Sequence, residues 1–195
     1  MGTGLFFGSF NPVHRGHEEM ASSFLATDWI NDLWIILTPS PPHKENQELA
    51  SFQDRWNMLE RVFLQDHRVL LSDVEQRMNS PQYTVRTLDY LKNSYPDRSF
   101  YLCIGGDTLQ TLSTWFEYER IAQKSELIVA ERPGVSREVP PELASFTVHF
   151  CNHEKRDVSS TAIREKLSTG VLPGTDELNR RVLDYILENG LYGTC

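Results

Sequence analysis

Cysteine is scarce in this chain: Cys103, Cys151 and Cys195 are the only three in 195 residues. Their number is odd and their spacing shows no metal pairing, which argues against a disulfide framework and for reduced thiols in a cytoplasmic protein. Long apolar runs are missing too. No stretch approaches the roughly 20 apolar residues that a membrane-crossing helix needs. The start, MGTGLFFGSF, lacks the basic and long apolar regions of a secretory leader, so the cytoplasm is the expected location. Positive charge is in deficit, with 19 Lys and Arg against 27 Asp and Glu and a net charge of −8. Such a field repels nucleic acid, so an anionic ligand must rest on a local cationic pocket rather than a basic surface. Repeats and low-complexity tracts are absent, and no Asp/Glu cage marks a dedicated metal site.

What remains is an ordinary globular composition, 39% hydrophobic and 24% charged, on a chain long enough for one sizeable core. Apolar runs at residues 5–7, 32–37, 69–71, 100–104 and 127–130 read as strands, and 146–150 as a weaker outer strand. Helical periodicity fills the gaps. It covers residues 15–26, then Phe52, Trp56, Leu59 and Phe63 on one face, then Val85, Leu88 and Leu91 before Pro96. A helix is expected from Gly105-Gly106-Asp107 to about Ser113, and a short one from Phe116 to Ala122. Ser159 is the expected cap of a helix to Ser168, with Gly170 as its stop. Leu178, Val182, Tyr185 and Ile186 mark the last helix, ended by Gly190. Residues 38–50 and 134–144 are polar and Pro-containing, and read as loops.

Apolar strands alternating with amphipathic helices predict an α/β fold. The expected architecture is a doubly wound, Rossmann-like, mostly parallel sheet with helices on both faces. Residues 1–195 form one domain in this reading, with a small helical part after about 157. Ligands of such sheets bind beyond the C-terminal strand ends. Polar or glycine-containing pieces at Gly8, Thr38, Gly105 and Arg132 all follow apolar runs directly, which sets them on one edge.

The most informative stretch is Gly4 to His17, GLFFGSFNPVHRGH. Gly8 ends the strand, Pro12 stiffens its exit, and a helix starting near Arg15 places His17 in the first turn. Unpartnered N–H groups, the positive end of the dipole and the imidazoles of His14 and His17 then converge as an anion site. Two histidines at a helix start are by themselves commonplace. A second segment gives them weight: Val158-Ser159-Ser160-Thr161-Ala162-Ile163-Arg164 offers hydroxyls and N–H groups at a helix start with an arginine one turn inside.

These two stretches resemble the HxGH and Ser-Ser-Thr-x-Ile-Arg signatures of the nucleotidylyltransferase superfamily. Pro42-His43-Lys44, Tyr83-Thr84, Gly105-Gly106-Asp107, Trp115 and Arg132-Pro133-Gly134 are similar, in order, to pieces of one member family, the bacterial nicotinate mononucleotide adenylyltransferases. The resemblance implies transfer of the adenylyl group of ATP to nicotinate mononucleotide, giving the deamido dinucleotide and pyrophosphate, with Mg²⁺ carried on the phosphates of ATP. It implies an ATP site of Gly8, Ser9, Phe10, His14, His17, Lys44, Arg132, Ser159, Ser160, Thr161 and Arg164, with His14, His17 and Arg164 closest to the chemistry. His17 would meet the α-phosphate side and His14 the triphosphate, and the bound anion would favour their protonation.

For the mononucleotide it implies Thr84, Gly105 and Asp107, with Trp115 stacking on the pyridine ring. Asp107 also suits a helix cap, and Trp115 also suits a core. Three departures from the family pattern stand out: Asn11 where Asp is commoner, Gln82 for a usual Ser, and Arg86 where Asp is common. The last two lie near the pyridine site and bear on acid-versus-amide preference. Alternatives are a preference for nicotinamide mononucleotide, another acceptor such as phosphopantetheine, and a non-catalytic nucleotide sensor.

Overall fold

The computed structural model describes residues 2–39, 49–131, 134, 137–154 and 157–194. Its centre is a six-stranded sheet in the order β3-β2-β1-β4-β5-β6. The strands are β1 (Gly2–Gly8), β2 (Asp32–Leu37), β3 (Val69–Ser72), β4 (Ser99–Gly105), β5 (Glu126–Glu131) and β6 (Val148–Asn152). All neighbours are parallel. The helices are α1 (Arg15–Leu25), α2 (Phe52–Phe63), α3 (Thr84–Ser94), α4 (Gly106–Leu109), α5 (Tyr118–Ala122), α6 (Ser160–Ser168) and α7 (Arg180–Glu188).

Period-two alternation along the buried strands divides the core in two. Phe6, Leu33, Ile35, Cys103, Ile128 and Cys151 face one side, where α1, α2, α6 and α7 supply Phe24, Leu59, Ile163 and Val182. Leu5, Trp34, Ile36, Leu102 and Val129 face the other, under Leu88 of α3 and Ile121 of α5. The order reverses between β1 and β4. Their pairing runs from Gly2–Ser99 to Leu5–Leu102, and both strands continue beyond it to Gly8 and Gly105. A crevice therefore opens at the C-terminal edge, where such sheets take ligands. At the opposite edge one arginine gathers the three strand starts. Arg98 Nη1 donates to Thr3 Oγ1 and Asp32 Oδ2, each at 2.6 Å, and Thr3 Oγ1 donates to Asp32 Oδ1 at 2.6 Å.

The expected elements are present, with four shifts. The helix expected to reach Ser113 stops at Leu109 and gives way to a 3₁₀ turn, Leu112–Thr114. Thr111 and Thr114 hydroxyls each bond back to a carbonyl three residues earlier, which competes with regular helix. The next helix starts at Tyr118 rather than Phe116, because Glu117 adopts a left-handed conformation at φ 51°. The outer strand lies at Val148–Asn152, two residues later than read. Leu178 packs in the core but precedes α7, whose cap is Asn179, its side chain accepting from Arg181 N–H.

Gly4, in the middle of β1, is hemmed in by three side chains. A β-carbon there would lie 2.8 Å from Ile30 and Leu33 side-chain carbons and 2.9 Å from Cys103 Sγ. All three neighbours are buried, so the crowding has no outlet to solvent. Gly4→Ala is expected to cost about 1–3 kcal/mol by urea unfolding. Unchanged stability would show that this part of the core is looser than described.

Candidate active site

The turn from β1 into α1 is built to bring a strained backbone close to the crevice. Phe10 has φ 44°, in the left-handed region that side chains rarely occupy. Its ring is fully buried and meets Phe6 edge-on at 5.5 Å and His17 at 5.0 Å. Gly8 permits this, since a β-carbon at Gly8 would lie 2.7 Å from the Phe10 ring. Phe10 is thus a core side chain, which leaves only its backbone to meet a ligand.

His14 caps α1 and His17 is its third residue. The imidazoles stack with centroids 3.7 Å apart and planes at 27°. His17 Nδ1 accepts the His14 backbone N–H at 3.2 Å, which places the His17 ring proton on Nε2. His14 is 8% exposed, and burial pushes its imidazole down to about 4. Its Nδ1 is buried without a hydrogen-bond partner among the described residues. An orphaned imidazole nitrogen beside a helix start is unfavourable by itself, and a ligand oxygen placed there would satisfy it. The protein's own groups thus hold His14 neutral. Any protonation expected near neutral pH has to come from an anion strong enough to offset burial.

The second segment reaches the same turn. Val158 Cγ1 would lie 3.2 Å from a β-carbon at Gly16, so the residue before the α6 cap packs on the first turn of α1. Ser159 caps α6 and accepts the Ala162 N–H at 3.1 Å. Ser160 Oγ donates to the Pro12 carbonyl at 3.0 Å, and Arg164 Nη1 donates to the Asn11 carbonyl at 2.9 Å. Arg164 Nη2 also reaches Thr161 Oγ1 at 3.5 Å. Two of the expected anion-binding side chains therefore hold the β1–α1 turn, and the single hydroxyl proton of Ser160 is spent on it.

Across the crevice, Gly105 caps the short α4 and Asp107 sits inside its first turn, so Asp107 is not the cap. A side chain at Gly106 would have to displace the Glu131 carboxylate, which occupies that space. Thr84 is the first residue of α3, capped by Tyr83. Tyr83 stacks on Phe116 with centroids 4.4 Å apart, and the Arg86 guanidinium lies 5.2 Å from the Tyr83 ring and 5.8 Å from that of Phe116. Trp115 is half-buried and packs against the core of the α3 side. The histidines and the Thr84–Trp115 group thus approach the crevice from opposite faces of the sheet. Lys44, with Pro42 and His43, and Arg132, with Pro133, lie outside the described residues.

Three supports carry no motif in the sequence, two of them buried and one half-buried. Arg55 of α2 is 1% exposed and among the described residues bonds only main-chain carbonyls. Glu75 is 2% exposed and accepts from Thr87 Oγ1 at 2.9 Å; burial pushes its carboxyl up, opposed by hydrogen bonds from Thr38 and Thr87. Tyr192 donates to Asn11 Oδ1 at 2.9 Å, and burial raises its phenol. Only the strained positions carry a sequence signal, since the preceding Gly190 and following Gly193 are helix-end residues with positive φ.

Burial of His14 has a pH consequence. Above pH 6.5 both folded and unfolded chains carry a neutral imidazole. As pH falls through 6.5 the unfolded chain takes up a proton that the folded chain refuses until about 4. His14 therefore removes up to about 3 kcal/mol of stability between those values. Urea titrations of wild type and His14→Gln between pH 7 and 4 are expected to differ in slope across that window. Parallel curves would place His14 in a wetter setting than described.

Comparison with known proteins agrees with this arrangement. Residues 5–166 match the cytidylyltransferase-like family. The chain is 36% identical over 171 residues to a probable nicotinate-nucleotide adenylyltransferase of Bacteroides fragilis, covering 86% of this chain and 83% of the relative. It is 31% identical over 189 residues to the nicotinate-nucleotide adenylyltransferase of Bacillus subtilis, covering 97% of each. Its fold is shared with a Plasmodium falciparum nicotinic acid mononucleotide adenylyltransferase solved with NaAD, at a TM-score of 0.83, 22% identity, and coverage of 100% of this chain and 98% of the other. With the stacked histidines of α1 and the start of α6 packed on one turn at the switch point, the chain belongs to the nicotinate-nucleotide adenylyltransferases, within the cytidylyltransferase-like family.

Proposed function

We propose that this crevice transfers the adenylyl group of ATP to nicotinate mononucleotide. A phosphate oxygen of the mononucleotide attacks the α-phosphorus of ATP in line. The new P–O bond forms as the bond to the β-phosphate bridging oxygen breaks, and pyrophosphate leaves. No covalent enzyme intermediate is needed, so the protein's contribution is alignment and charge stabilisation. The observation that carries the reading is the meeting of two distant segments on one turn: the His14–His17 stack from α1, and Ser160 with Arg164 from α6.

His17 and His14 present imidazole N–H groups to the α-phosphate and the adjoining triphosphate oxygens. The first turns of α1 and α6 add backbone N–H groups with the positive ends of two helix dipoles. Mg²⁺ enters as part of MgATP, its ligands the phosphate oxygens. Asp107 offers a carboxylate to ribose hydroxyls, and Trp115 a face to the pyridine ring. Thr84 and the N–H groups at the start of α3 receive the pyridine carboxylate.

Arg86 favours the acid over the amide. It stands in the first turn of α3, against the positive end of the dipole, and among the described residues its contacts are two aromatic rings and the Pro81 carbonyl. A carboxylate nearby relieves that charge, whereas an amide presents donors to a donor-rich pocket. The reaction belongs to the cytoplasm, where ATP and the mononucleotide are available.

Pyrophosphate release measured with ATP and a panel of nicotinate mononucleotide, nicotinamide mononucleotide and phosphopantetheine tests the reading. Turnover with the nicotinate acceptor is expected to exceed that with the amide by at least about tenfold in kcat/KM. His17→Ala is expected to lower kcat about 100-fold while ATP binding changes little, since positioned donors act mainly in the transition state. ATP binding with no pyrophosphate from any acceptor would make the protein a nucleotide sensor instead.

A further inference from the structure

We infer that Arg55 is a positioning residue for adenylyl transfer: from inside the core, its guanidinium holds the phosphate-facing turn after β1 at a fixed height against the end of β2. The inference rests on the reaction proposed above and concerns a residue that touches none of the reacting groups.

Arg55 lies in α2 and is 1% exposed. Its Nη1 donates to the carbonyls of Ser9 and Thr38, each at 2.8 Å. Nη2 donates to the Pro39 carbonyl at 2.9 Å and Nε to the Ala50 carbonyl at 3.0 Å. Phe52 covers the group, its ring centroid 5.8 Å away. Three separate segments, the exits of β1 and β2 and the approach to α2, are thereby gathered on one planar fork. A guanidinium can do this because its N–H vectors are fixed in one plane; a lysine ammonium cannot reproduce four such directions.

Two features separate this from ordinary core filling. First, the charge has no carboxylate partner among the described residues. A buried cation held by carbonyl dipoles alone is costly, and burial pulls the Arg55 pKa down. An apolar side chain of similar volume would serve packing better. A positive charge directly beneath a turn that meets a triphosphate regains the loss when the anion binds. Second, the grip acts on the element that matters. The Ser9 carbonyl belongs to the turn that includes the strained Phe10 and leads to His14 and His17. In a trans peptide, the carbonyl and the following N–H point in opposite directions. Holding the Ser9 carbonyl inward on Arg55 therefore directs the Phe10 N–H away from the core. Released, that carbonyl could rotate toward the phosphates and repel them.

The test uses the full-length enzyme and two variants. Arg55→Lys keeps the charge and loses the fork; Arg55→Ala leaves a cavity that methylguanidinium fits. Three quantities are measured well below each variant's Tm: kcat, the KM for each substrate, and the Kd of a non-hydrolysable ATP analogue. Arg55→Lys is expected to lose about 100-fold in kcat, the scale of an ångström of misplacement. Its KM for the mononucleotide should stay within about twofold, because that subsite is built from α3 and the β4 end. Methylguanidinium, and not methylammonium, is expected to restore part of the Arg55→Ala activity. Wild-type kcat in folded Arg55→Lys, equal losses on both substrate sides, or rescue by methylammonium would each overturn the inference. So would loss of cooperative unfolding in both variants, which would assign Arg55 to the core alone. If the wild type releases no pyrophosphate, the reaction assignment fails, and Arg55 is judged by analogue Kd alone: unchanged affinity in Arg55→Lys would then reject its role.

Discussion

The site depends on where three backbone carbonyls point. Between β1 and α1, the carbonyls of Ser9, Asn11 and Pro12 are taken by Arg55, Arg164 and Ser160. These side chains come from α2 and α6, far away in sequence. Exposed carbonyls beside a phosphate chain would oppose binding, and unsatisfied ones inside the protein would be costly. Capturing them removes both problems and leaves the turn's other side for donors. The Asn11 side chain completes the arrangement, accepting the Ala50 N–H at 3.0 Å and the Tyr192 hydroxyl at 2.9 Å. Asn11 is thus a structural acceptor here, and the amide in place of the commoner carboxylate spares the turn a buried negative charge.

Electrostatics follow from this local construction rather than from the whole molecule. The chain is acidic overall, at −8. The proposed anion site is assembled from helix starts, a neutral buried imidazole, a second imidazole with a fixed tautomer, and two arginines whose guanidinium groups hold backbone. Such a site is short-ranged: it rewards a polyanion that reaches the crevice and offers little to one passing over the surface. The two faces of the sheet carry different groups, with α1 and α6 on one side and α3 with Trp115 on the other, and the proposed reaction has its substrates meet at the gap where β1 and β4 part.

Much of this was legible in the sequence because it is periodic or punctuated. Apolar runs ending at Gly8, Leu37 and Gly105 located the strands, and Ser159 and Gly170 bounded α6 where the structure has its cap and positive-φ stop. The short region after Gly105 carries the pattern of a longer helix, because periodicity cannot register hydroxyls that bond back to their own backbone. Arg55 left no signal, since an arginine on an amphipathic helix looks like any solvated residue until the fold buries it. Ser160 and Arg164 were identified, but their hold on the Asn11 and Pro12 carbonyls is a long-range relation that no local pattern encodes.

The central claim is that the starts of α1 and α6 close on one triphosphate. A crystal structure with a non-hydrolysable ATP analogue measures this directly. The account predicts phosphate oxygens within hydrogen-bond reach of both His14 and His17, and of the first turn of α6. A phosphate chain that contacts only one of these segments, or lies away from the gap between β1 and β4, would contradict it.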